Sequence, residues 1–247
     1  MNYKTALVSG GVQGIGKAIA QRLIKDGFFT VIADLNEETG KSVISELGKD
    51  KSSFIKCNVS DEEQVKNLYS KILETRKQID AVINNAGVIR DNMIWNMSLE
   101  DFDQVIDVNL RGTWLMCREA AKIMREQKSG RIINISSRAW LGNNRGQSNY
   151  TASKAGIVGL TRVLALELGK YNVNVNAIAP GLIDTPLTQN LPQKVLQDLI
   201  EAQPTKKMGK PEDVANVCSF LLSKESEFIT GQIIHIDGGR SIGSTIF

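Results

Sequence analysis

A tyrosine and a lysine stand one helical turn apart, at Tyr150 and Lys154, in the stretch NYTASKAG. From Tyr150 to Leu168 the apolar residues recur with helical spacing, and both side chains fall on or beside that apolar stripe. A buried ammonium group needs polar partners, and it lowers the pKa of a nearby phenol from its usual value of about 10. The pair therefore predicts acid–base chemistry on a hydroxyl or carbonyl group. A tyrosine packed over the lysine stem is the alternative.

Two further polar side chains are placed to serve this pair. The run GRIINISS predicts a strand that ends at Ser136 and Ser137, before the tyrosine. Asn109 lies inside a predicted helix, where asparagine is a poor helix former unless its side chain has a task. A serine hydroxyl can hold a substrate oxygen, and an asparagine can hold a water molecule behind the lysine. The candidate catalytic residues are Asn109, Ser137, Tyr150 and Lys154.

A glycine-rich loop follows the first predicted strand. The stretch ALVSGGVQGIGKAIAQRL places Gly10, Gly14 and Gly16 between a strand and a helix. Glycines permit a tight turn and let backbone N–H groups approach a diphosphate at the positive end of the helix. The spacing GxxxGxG alone is also compatible with an ordinary turn. Its position after the first strand favours dinucleotide binding.

An acidic residue ends the second predicted strand. Asp34 lies about twenty residues beyond the glycine loop, where a carboxylate accepts hydrogen bonds from ribose hydroxyls and repels a 2′-phosphate. The loop carries Val12 and Gln13 rather than a phosphate-binding arginine. These features favour NAD(H) over NADP(H), unless Asp34 only caps the following helix.

Short apolar runs alternate with longer helical stretches along the whole chain. Strands that are apolar on both faces and joined by helices predict a parallel sheet covered on two sides. The expected fold is α/β, a single-domain Rossmann-type doubly wound parallel sheet of about seven strands over residues 1–247. The third and fourth strands end in CNVSD and NNAG. These motifs place five residues beside a bound dinucleotide, unless they are only turn residues: Asn58, Val59, Asn85, Ala86 and Gly87.

All five prolines lie between residues 180 and 211. Within this region Leu191, Val195 and Leu199 have helical spacing. Long insertions in compact domains are often functional, so we expect a substrate lid over about 183–211. A plain surface excursion is the alternative.

The composition is that of an ordinary globular protein. The 247 residues are 42% hydrophobic and carry a net charge of +3, with no polybasic run. No apolar run reaches the ~18 residues of a membrane span, the first residues enter a strand without a signal-peptide pattern, and the three cysteines show no metal-binding spacing. These features predict a cytoplasmic protein that binds no nucleic acid, membrane or metal.

Together these motifs resemble the short-chain dehydrogenase/reductase family over essentially the whole chain. The family's glycine motif is similar to SGGVQGIG at 9–16, with Ser9 in place of the usual threonine, and its NNAG motif stands at 84–87. Its catalytic tetrad matches the four candidate residues. Its PG motif matches Pro180–Gly181, followed by Ile183 and Thr185, which by resemblance contact the nicotinamide carboxamide.

The resemblance also implies a role for each candidate. Tyr150 donates or accepts the proton, and Ser137 orients and polarises the carbonyl. Lys154 lowers the tyrosine pKa and binds the nicotinamide ribose, while Asn109 supports a water-mediated proton relay. The dinucleotide contacts implied in this chain are Gly10, Val12, Gln13, Gly14, Ile15, Gly16, Asp34, Leu35, Asn58, Val59, Asn85, Ala86, Gly87, Tyr150, Lys154, Pro180, Gly181, Ile183 and Thr185.

Segments 84–110 and 131–157 look most like those of 3-oxoacyl-acyl-carrier-protein reductases. The likeness implies reduction of a 3-oxoacyl thioester, carried on acyl-carrier protein or CoA, to the (R)-3-hydroxyacyl form. Those reductases typically use NADPH and carry a basic residue where this chain has Gln13, so we expect an NADH-using relative. A secondary-alcohol, sugar or polyol dehydrogenase is the enzymatic alternative. A dinucleotide-binding sensor or structural subunit is the non-enzymatic one.

Basic residues are expected beside the site if an acidic carrier protein binds there. Lys128, Arg131 and Lys170 are the candidates, and solvated side chains are the alternative. By resemblance the protein is expected to be a homotetramer that buries the helices near 98–127 and 149–169 between subunits.

The expected roles of three other side chains follow from their positions in the sequence. Arg138 and Trp140, directly after the candidate serine, are expected to shape the substrate mouth. The lone histidine, His235, is expected to be a packed or interface residue rather than a ligand.

Overall fold

The computed structural model describes residues 4–243. Seven strands form one parallel sheet in the spatial order β3-β2-β1-β4-β5-β6-β7. The strands are β1 (Lys4–Ser9), β2 (Phe28–Asp34), β3 (Ser52–Lys56), β4 (Ala81–Asn84), β5 (Gly130–Ile135), β6 (Val173–Pro180) and β7 (Ile233–Ile236). The sequence prediction of an α/β doubly wound parallel sheet is confirmed.

Nine α-helices connect or follow these strands within the described residues. They are α1 (Gly14–Lys25), α2 (Glu37–Leu47), α3 (Glu62–Arg76), α4 (Leu99–Val105), α5 (Gly112–Gln127), α6 (Ser148–Leu168), α7 (Pro186–Gln189), α8 (Gln193–Glu201) and α9 (Pro211–Leu222). A π-helical turn at Ile106–Arg111 joins α4 to α5. Short 3₁₀ turns lie at Arg138–Leu141, Gly169–Tyr171 and Lys224–Ser226.

The helices cover both faces of the sheet because successive strand residues point to opposite sides. Leu7 and Val82 pack in one cluster with residues of α3, α5 and α6. Val8 and Ile83 pack in the other with residues of α1, α2 and α9. All four side chains are fully buried. This double burial explains why the strands read as continuous apolar runs rather than as alternating ones.

The strand order reverses beside β1, which pairs with β2 on one side and β4 on the other. The connections after β1 and β4 therefore leave the sheet in different directions and open a crevice between them. Ser9 stands opposite Asn84 at this point. In open parallel sheets a crevice of this kind, at the carboxyl ends of the strands, is where ligands bind.

Three features expected from composition can be compared with the described residues. Cys57, Cys117 and Cys218 are buried, free thiols. Between residues 4 and 243 no helix is long and apolar enough to cross a membrane. Over the same range no three His, Cys, Asp or Glu side chains come together in a group able to hold a metal ion.

Candidate active site

The candidate residues meet at the carboxyl edge of the sheet, because all seven strands run in the same direction. The glycine loop follows β1, Asp34 ends β2, NNAG ends β4, the serine pair follows β5 and the PG motif ends β6. Sequence positions up to 170 residues apart are thereby brought to one edge, as the spacing argument predicted.

Backbone packing requires glycine at two positions of the loop. Gly10 has φ +64°, and a Cβ there would stand 2.8 Å from Cα of Ala86. A Cβ on Gly16 would collide with the carbonyl oxygen of Gly10 and stand 2.5 Å from Nδ2 of Asn85. The helix that follows begins at Gly14 and has neither a side-chain cap nor an acidic residue in its first turn. Its first N–H groups are thus not capped by a side chain, which fits an anionic diphosphate.

Side chains tie the glycine loop to the NNAG motif. The Ser9 hydroxyl accepts hydrogen bonds from the backbone N–H groups of Asn85 (3.1 Å) and Ala86 (3.2 Å). The Asn85 amide donates to the carbonyl oxygens of Ser9 and Gly10, at 3.2 and 2.8 Å. The two walls of the crevice are therefore held as one unit, and the serine at the threonine position of the motif supports it.

Asp34 does not cap the helix after it. Asn36 takes that position, since its side-chain oxygen accepts from the N–H of Thr39 at 3.0 Å. The Asp34 carboxylate accepts one hydrogen bond, from the N–H of Asn36 at 3.1 Å. Leu35, next to it, is 59% exposed. An aspartate with free acceptor capacity at the end of β2 fits the ribose hydroxyls of a dinucleotide.

Other predicted contact residues have different surroundings. Val12 and Ile183 are buried core side chains, so only their backbone atoms remain to face a ligand. Val59 is also buried, and a Cβ on Gly112 would press against it. Asn58 turns its side-chain oxygen to the N–H and hydroxyl of Ser60, at 3.1 and 2.9 Å.

The predicted nicotinamide end is joined to the glycine loop. A Cβ on Gly14 would meet Cγ2 of Thr185 at 3.5 Å, so this threonine lies over the loop. The N–H of Gly181 donates to the carbonyl of Ile236 at 2.8 Å, and a Cβ on Gly181 would stand 2.6 Å from that of Asp237. The strand-end glycine is thus required by the close approach of the segment after β7.

Tyr150 and Lys154 lie on the first turns of α6, at the end of β5. Lys154 is 4% exposed, and its Nζ donates to the carbonyl oxygen of Ile135 at 2.8 Å. The Ser136 hydroxyl donates to the Lys154 carbonyl at 2.9 Å, which fixes the helix to the strand end. Nζ stands 5.5 Å from the centre of the Tyr150 ring. Ser137 acts to lower the pKa of Tyr150, which places its hydroxyl near the phenol.

Burial sets the direction of the Tyr150 pKa in the protein alone. It raises the pKa of Tyr150 to about 12, Ser137 acts in the opposite direction, and the charge of Asp91 raises the pKa further. Burial also lowers the pKa of Lys154 to about 8. The lowering expected from Lys154 is not among the causes that act on Tyr150, and the tyrosine keeps its proton at neutral pH.

Asn109 lies fully buried in the π-helical turn, not in a regular α-helix. Its amide oxygen accepts from the N–H of Val88 at 2.8 Å, and its nitrogen donates to the Val88 carbonyl at 3.0 Å and to the Ser153 hydroxyl at 3.2 Å. A Cβ on Gly87 would stand 3.2 Å from the amide oxygen and 3.6 Å from Nζ of Lys154. Asn109 thus binds the segment after NNAG to α6, next to the lysine. Single-turn π-bulges are frequent at functional sites.

Trp140 and Arg138, the residues expected to shape the substrate mouth, both form side-chain hydrogen bonds. The Trp140 indole donates to Nε2 of His235 at 3.1 Å, and the two rings stack. His235 is therefore a packed residue, as predicted, and holds Trp140 on β7. The Arg138 guanidinium donates to the Asn144 side chain at 3.1 Å.

The basic residues proposed for a carrier protein are not beside the site within one chain. Lys128 ends α5 and Arg131 begins β5, so both lie at the amino edge of the sheet. Lys170 precedes β6 at the same edge. Within one chain the length of a strand therefore separates these three residues from Ser137.

Sequence reasoning missed several residues that the structure places around the site. The Ser136 hydroxyl donates to the Lys154 carbonyl, and the Ser153 hydroxyl accepts from the Asn109 side chain. Asp91 lies close enough to Tyr150 for its charge to raise the pKa of the phenol. Asp237 accepts hydrogen bonds from the N–H groups of Gly239 and Ser241 beside Gly181. The adjacent serine pair was the one local signal; the others depend on contacts distant in sequence.

A glycine loop after β1, an acidic residue after β2 and a Tyr–Lys pair beyond β5 are together typical of a dinucleotide-dependent oxidoreductase. Residues 10–241 match the family model described as enoyl-(acyl carrier protein) reductase. The chain belongs to the short-chain dehydrogenase/reductase family, whose members bind a nicotinamide dinucleotide and act on CH–OH or ketone groups.

Individual relatives extend over nearly the full chain. The 3-oxoacyl-[acyl-carrier-protein] reductase FabG of Thermotoga maritima is 40% identical, over 97% of this chain and 98% of its own. The (2S)-[(R)-hydroxy(phenyl)methyl]succinyl-CoA dehydrogenase subunit BbsD of Thauera aromatica is 39% identical, over 97% of each chain. The crystal structure of levodione reductase superposes with a TM-score of 0.92 at 35% identity, over 97% of this chain and 98% of the other. The chain is therefore an oxidoreductase of this family, and the names of its relatives cover different substrates.

Proposed function

We propose that the protein reduces a 3-oxoacyl thioester, carried on acyl-carrier protein or CoA, to the 3-hydroxyacyl form with NADH. The observation that carries a proton-transfer role is the protonated Tyr150 hydroxyl, beside Ser137 and one turn from Lys154, while the reductive direction follows the names of the 3-oxoacyl reductase relatives. A group that holds its proton at neutral pH is suited to give that proton to a substrate oxygen. The 3-oxoacyl-[acyl-carrier-protein] reductase relatives support the thioester class.

The crevice residues would hold the cofactor along the carboxyl edge of the sheet. The Gly10–Gly16 loop and the start of α1 would bind the diphosphate, and Asp34 the adenosine ribose. Lys154 would bind the nicotinamide ribose, and the segment from Pro180 to Thr185 the carboxamide. The chemistry that a nicotinamide dinucleotide supplies when bound is hydride transfer.

The remaining chemistry belongs to side chains of this protein. Ser137 would donate a hydrogen bond to the substrate oxygen and fix its position. Tyr150 would transfer its hydroxyl proton to that oxygen as the carbonyl becomes an alcohol. Lys154, through its hydrogen bond to the Ile135 carbonyl, would anchor the start of α6. Asn109 would fix the same part of the helix through its hydrogen bond to Ser153.

A lid over about 183–211 remains part of the proposal. Helix α8 has no buried residue, and Val195 is 43% exposed. A second apolar surface, formed by Met93, Ile94 and Trp95, lines a cavity of about 470 Å³ that reaches Thr151, the neighbour of Tyr150. Apolar surface on both sides of the site favours an acyl substrate over a sugar.

Initial rates of acetoacetyl-CoA reduction test the function directly. We expect NADH to be oxidised and NADPH to be a poorer donor, by a factor of about 100 in kcat/KM, since Asp34 repels the 2′-phosphate. Absorbance at matched cofactor concentrations measures both rates. A preference for NADPH would refute the cofactor proposal alone. No rate with either cofactor, together with NAD-driven oxidation of secondary alcohols or polyols, would refute the thioester proposal.

Replacing Asp34 with alanine tests the basis of the NADH preference. Removal of the carboxylate leaves the ribose hydroxyls without their acceptor and removes the repulsion of a 2′-phosphate. We expect kcat/KM with NADH to fall about tenfold and the NADH/NADPH ratio to fall further. Asp50→Ala, in the exposed turn before β3, is the matched control. An unchanged ratio in Asp34→Ala would show that another residue sets the preference.

We also propose a homotetramer that covers the outer surface of α4, α5 and α6. Several apolar side chains of these helices are exposed in one chain: Leu99 (74%), Trp114 (45%), Val163 (51%) and Leu166 (85%). Exposed apolar side chains on neighbouring helices are candidates for burial in an interface. Light scattering coupled to size-exclusion chromatography measures the state, and a monomer at micromolar concentration would contradict it.

A further inference from the structure

The loop between Ser137 and Tyr150 is long and exposed, yet it connects the two residues that are proposed to contact the substrate oxygen. Residues 141–145 are all exposed. Gly142 and Gly146 flank its outer part with φ of +76° and +78°, which other residues rarely adopt. Backbone hydrogen bonds close a turn at its start, from Trp140 to Ser137 and from Gly142 to Ala139, and side chains make the contacts of its outer part.

A continuous chain of side-chain hydrogen bonds runs along this loop. The Arg138 guanidinium donates to the Asn144 oxygen at 3.1 Å. The Asn144 nitrogen donates to the Gln147 oxygen at 2.8 Å, and the Gln147 nitrogen donates to the Asp91 carboxylate at 2.8 Å. The chain begins one residue after Ser137 and ends at a segment that follows NNAG. It has a cation at one end and an anion at the other, so each amide dipole is aligned between them.

Two more hydrogen bonds join the same segments. The N–H of Asn92 donates to the Gly146 carbonyl at 2.9 Å, and the Asn149 side chain donates to the Arg90 carbonyl at 2.8 Å. Asn149 is fully buried and directly precedes Tyr150. The 90–92 segment is therefore fastened to the loop and to the first turn of α6 at three consecutive residues.

We propose that Arg138, Asn144, Gln147 and Asp91 form a positioning network that fixes the loop joining Ser137 to Tyr150 and holds a carboxylate on the tyrosine side of the site. None of the four touches reacting atoms; they act through the serine and the tyrosine. The proposal rests on the proposed proton-donor role of Tyr150. It also has a structural part that does not need turnover.

Asp91, at the carboxylate end of the hydrogen-bond chain, also acts on the Tyr150 pKa through its charge. Burial raises the pKa of Tyr150 to about 12, and the charge of Asp91 adds to that rise. The other charged side chains around this turn have their own positions: Lys154 bonds to the Ile135 carbonyl, Arg90 stands 4.0 Å from Asp101, and Arg145 is exposed on the loop. Asp91 is the charged residue that acts on the Tyr150 hydroxyl.

Two substitutions separate the structural and the electrostatic parts. Gln147→Ala breaks the chain but keeps the carboxylate. We expect faster hydrogen exchange of the amides at 138–149 and a loss of about tenfold in kcat with little change in KM for NADH, because the catalytic pair is misplaced. Gln78→Ala is the control and should change neither, because Gln78 is an exposed glutamine that also bonds a carboxylate, that of Asp80, but at the amino edge of the sheet.

Asp91→Asn keeps an oxygen that can accept from Gln147 but removes the charge. We expect exchange at 138–149 to stay unchanged while the Tyr150 tyrosinate absorbance, taken as the difference from the matching Tyr150→Phe protein, appears at a pH lower by about half a unit, the effect of one screened charge several ångströms away. Asp91→Glu should return that absorbance toward its original pH. Asp50→Asn, in the exposed turn before β3, is the matched control.

The outcomes distinguish this proposal from the proposed function. Unchanged exchange and unchanged kcat in Gln147→Ala would overturn the network, and an unmoved Tyr150 tyrosinate absorbance in Asp91→Asn would overturn the electrostatic part. If no thioester is reduced, the proposed function fails, but the exchange and absorbance measurements still decide both parts, because neither needs turnover.

Discussion

Replacing Tyr150 with phenylalanine is expected to lower kcat for carbonyl reduction by a factor of about 10³ and to leave the affinity for NADH within about twofold. The substitution removes the one hydroxyl that both lies beside Ser137 and holds its proton at neutral pH. It keeps the ring that packs near Lys154. The loss should therefore fall on proton transfer and not on folding or on cofactor binding.

The measurement combines stopped-flow or steady-state rates with a titration of NADH fluorescence on the same samples. Tyr171→Phe is the matched control, because Tyr171 ends a 3₁₀ turn at the amino edge of the sheet, away from the site. Persistence of turnover in Tyr150→Phe would refute the proposed mechanism. Equal loss of turnover and of NADH binding would place Tyr150 in cofactor binding alone. Retained binding without turnover would also count against the alternative of a sensor or structural subunit.

The sheet could be predicted from the sequence because its physical cause is local. Each strand is a short apolar run buried on both faces, and each is bounded by a helix or a turn residue. The parallel direction then brings all carboxyl ends to one edge. Gly10, Asp34 and Tyr150 could therefore be assigned to one site without knowledge of any contact between them.

The parts that sequence reasoning missed depend on contacts between distant segments. No local pattern shows that Gln147 bonds to Asp91 or that Asn109 lies in a π-helical turn. The effect of burial on Tyr150 and Lys154 was missed for a related reason. Helical spacing predicts that the two are close, but burial depends on the whole fold, and it raises the pKa of Tyr150 and lowers that of Lys154.

Replacing Lys154 with methionine is expected to abolish reduction while making the folded protein more stable at pH 7. The lysine is buried, and its pKa falls from the usual value of 10.5 to about 8. Carrying the charge below pH 8 thus costs the native state about 3 kcal/mol relative to the unfolded chain. Methionine fills a similar volume without a charge, although the Ile135 carbonyl loses its partner at a cost of about 1 kcal/mol. The free energy of unfolding should rise by about 2 kcal/mol.

The pH dependence of that gain follows from the sign of the shift. The native lysine releases its proton near pH 8 and the unfolded one near pH 10.5, so the unfolded state binds more protons between these values. Stability of the unmodified protein therefore rises from pH 8 toward pH 10.5, and the advantage of Lys154→Met shrinks over that range. Urea unfolding at pH 7 and pH 9.5, at matched protomer concentration, measures both differences. Lys71→Met, an exposed lysine on α3, should show neither. A lower free energy of unfolding for Lys154→Met at pH 7 would mean that contacts beyond the Ile135 carbonyl stabilise the ammonium group. A difference in free energy of unfolding that is the same at both pH values would refute the lowered pKa of Lys154.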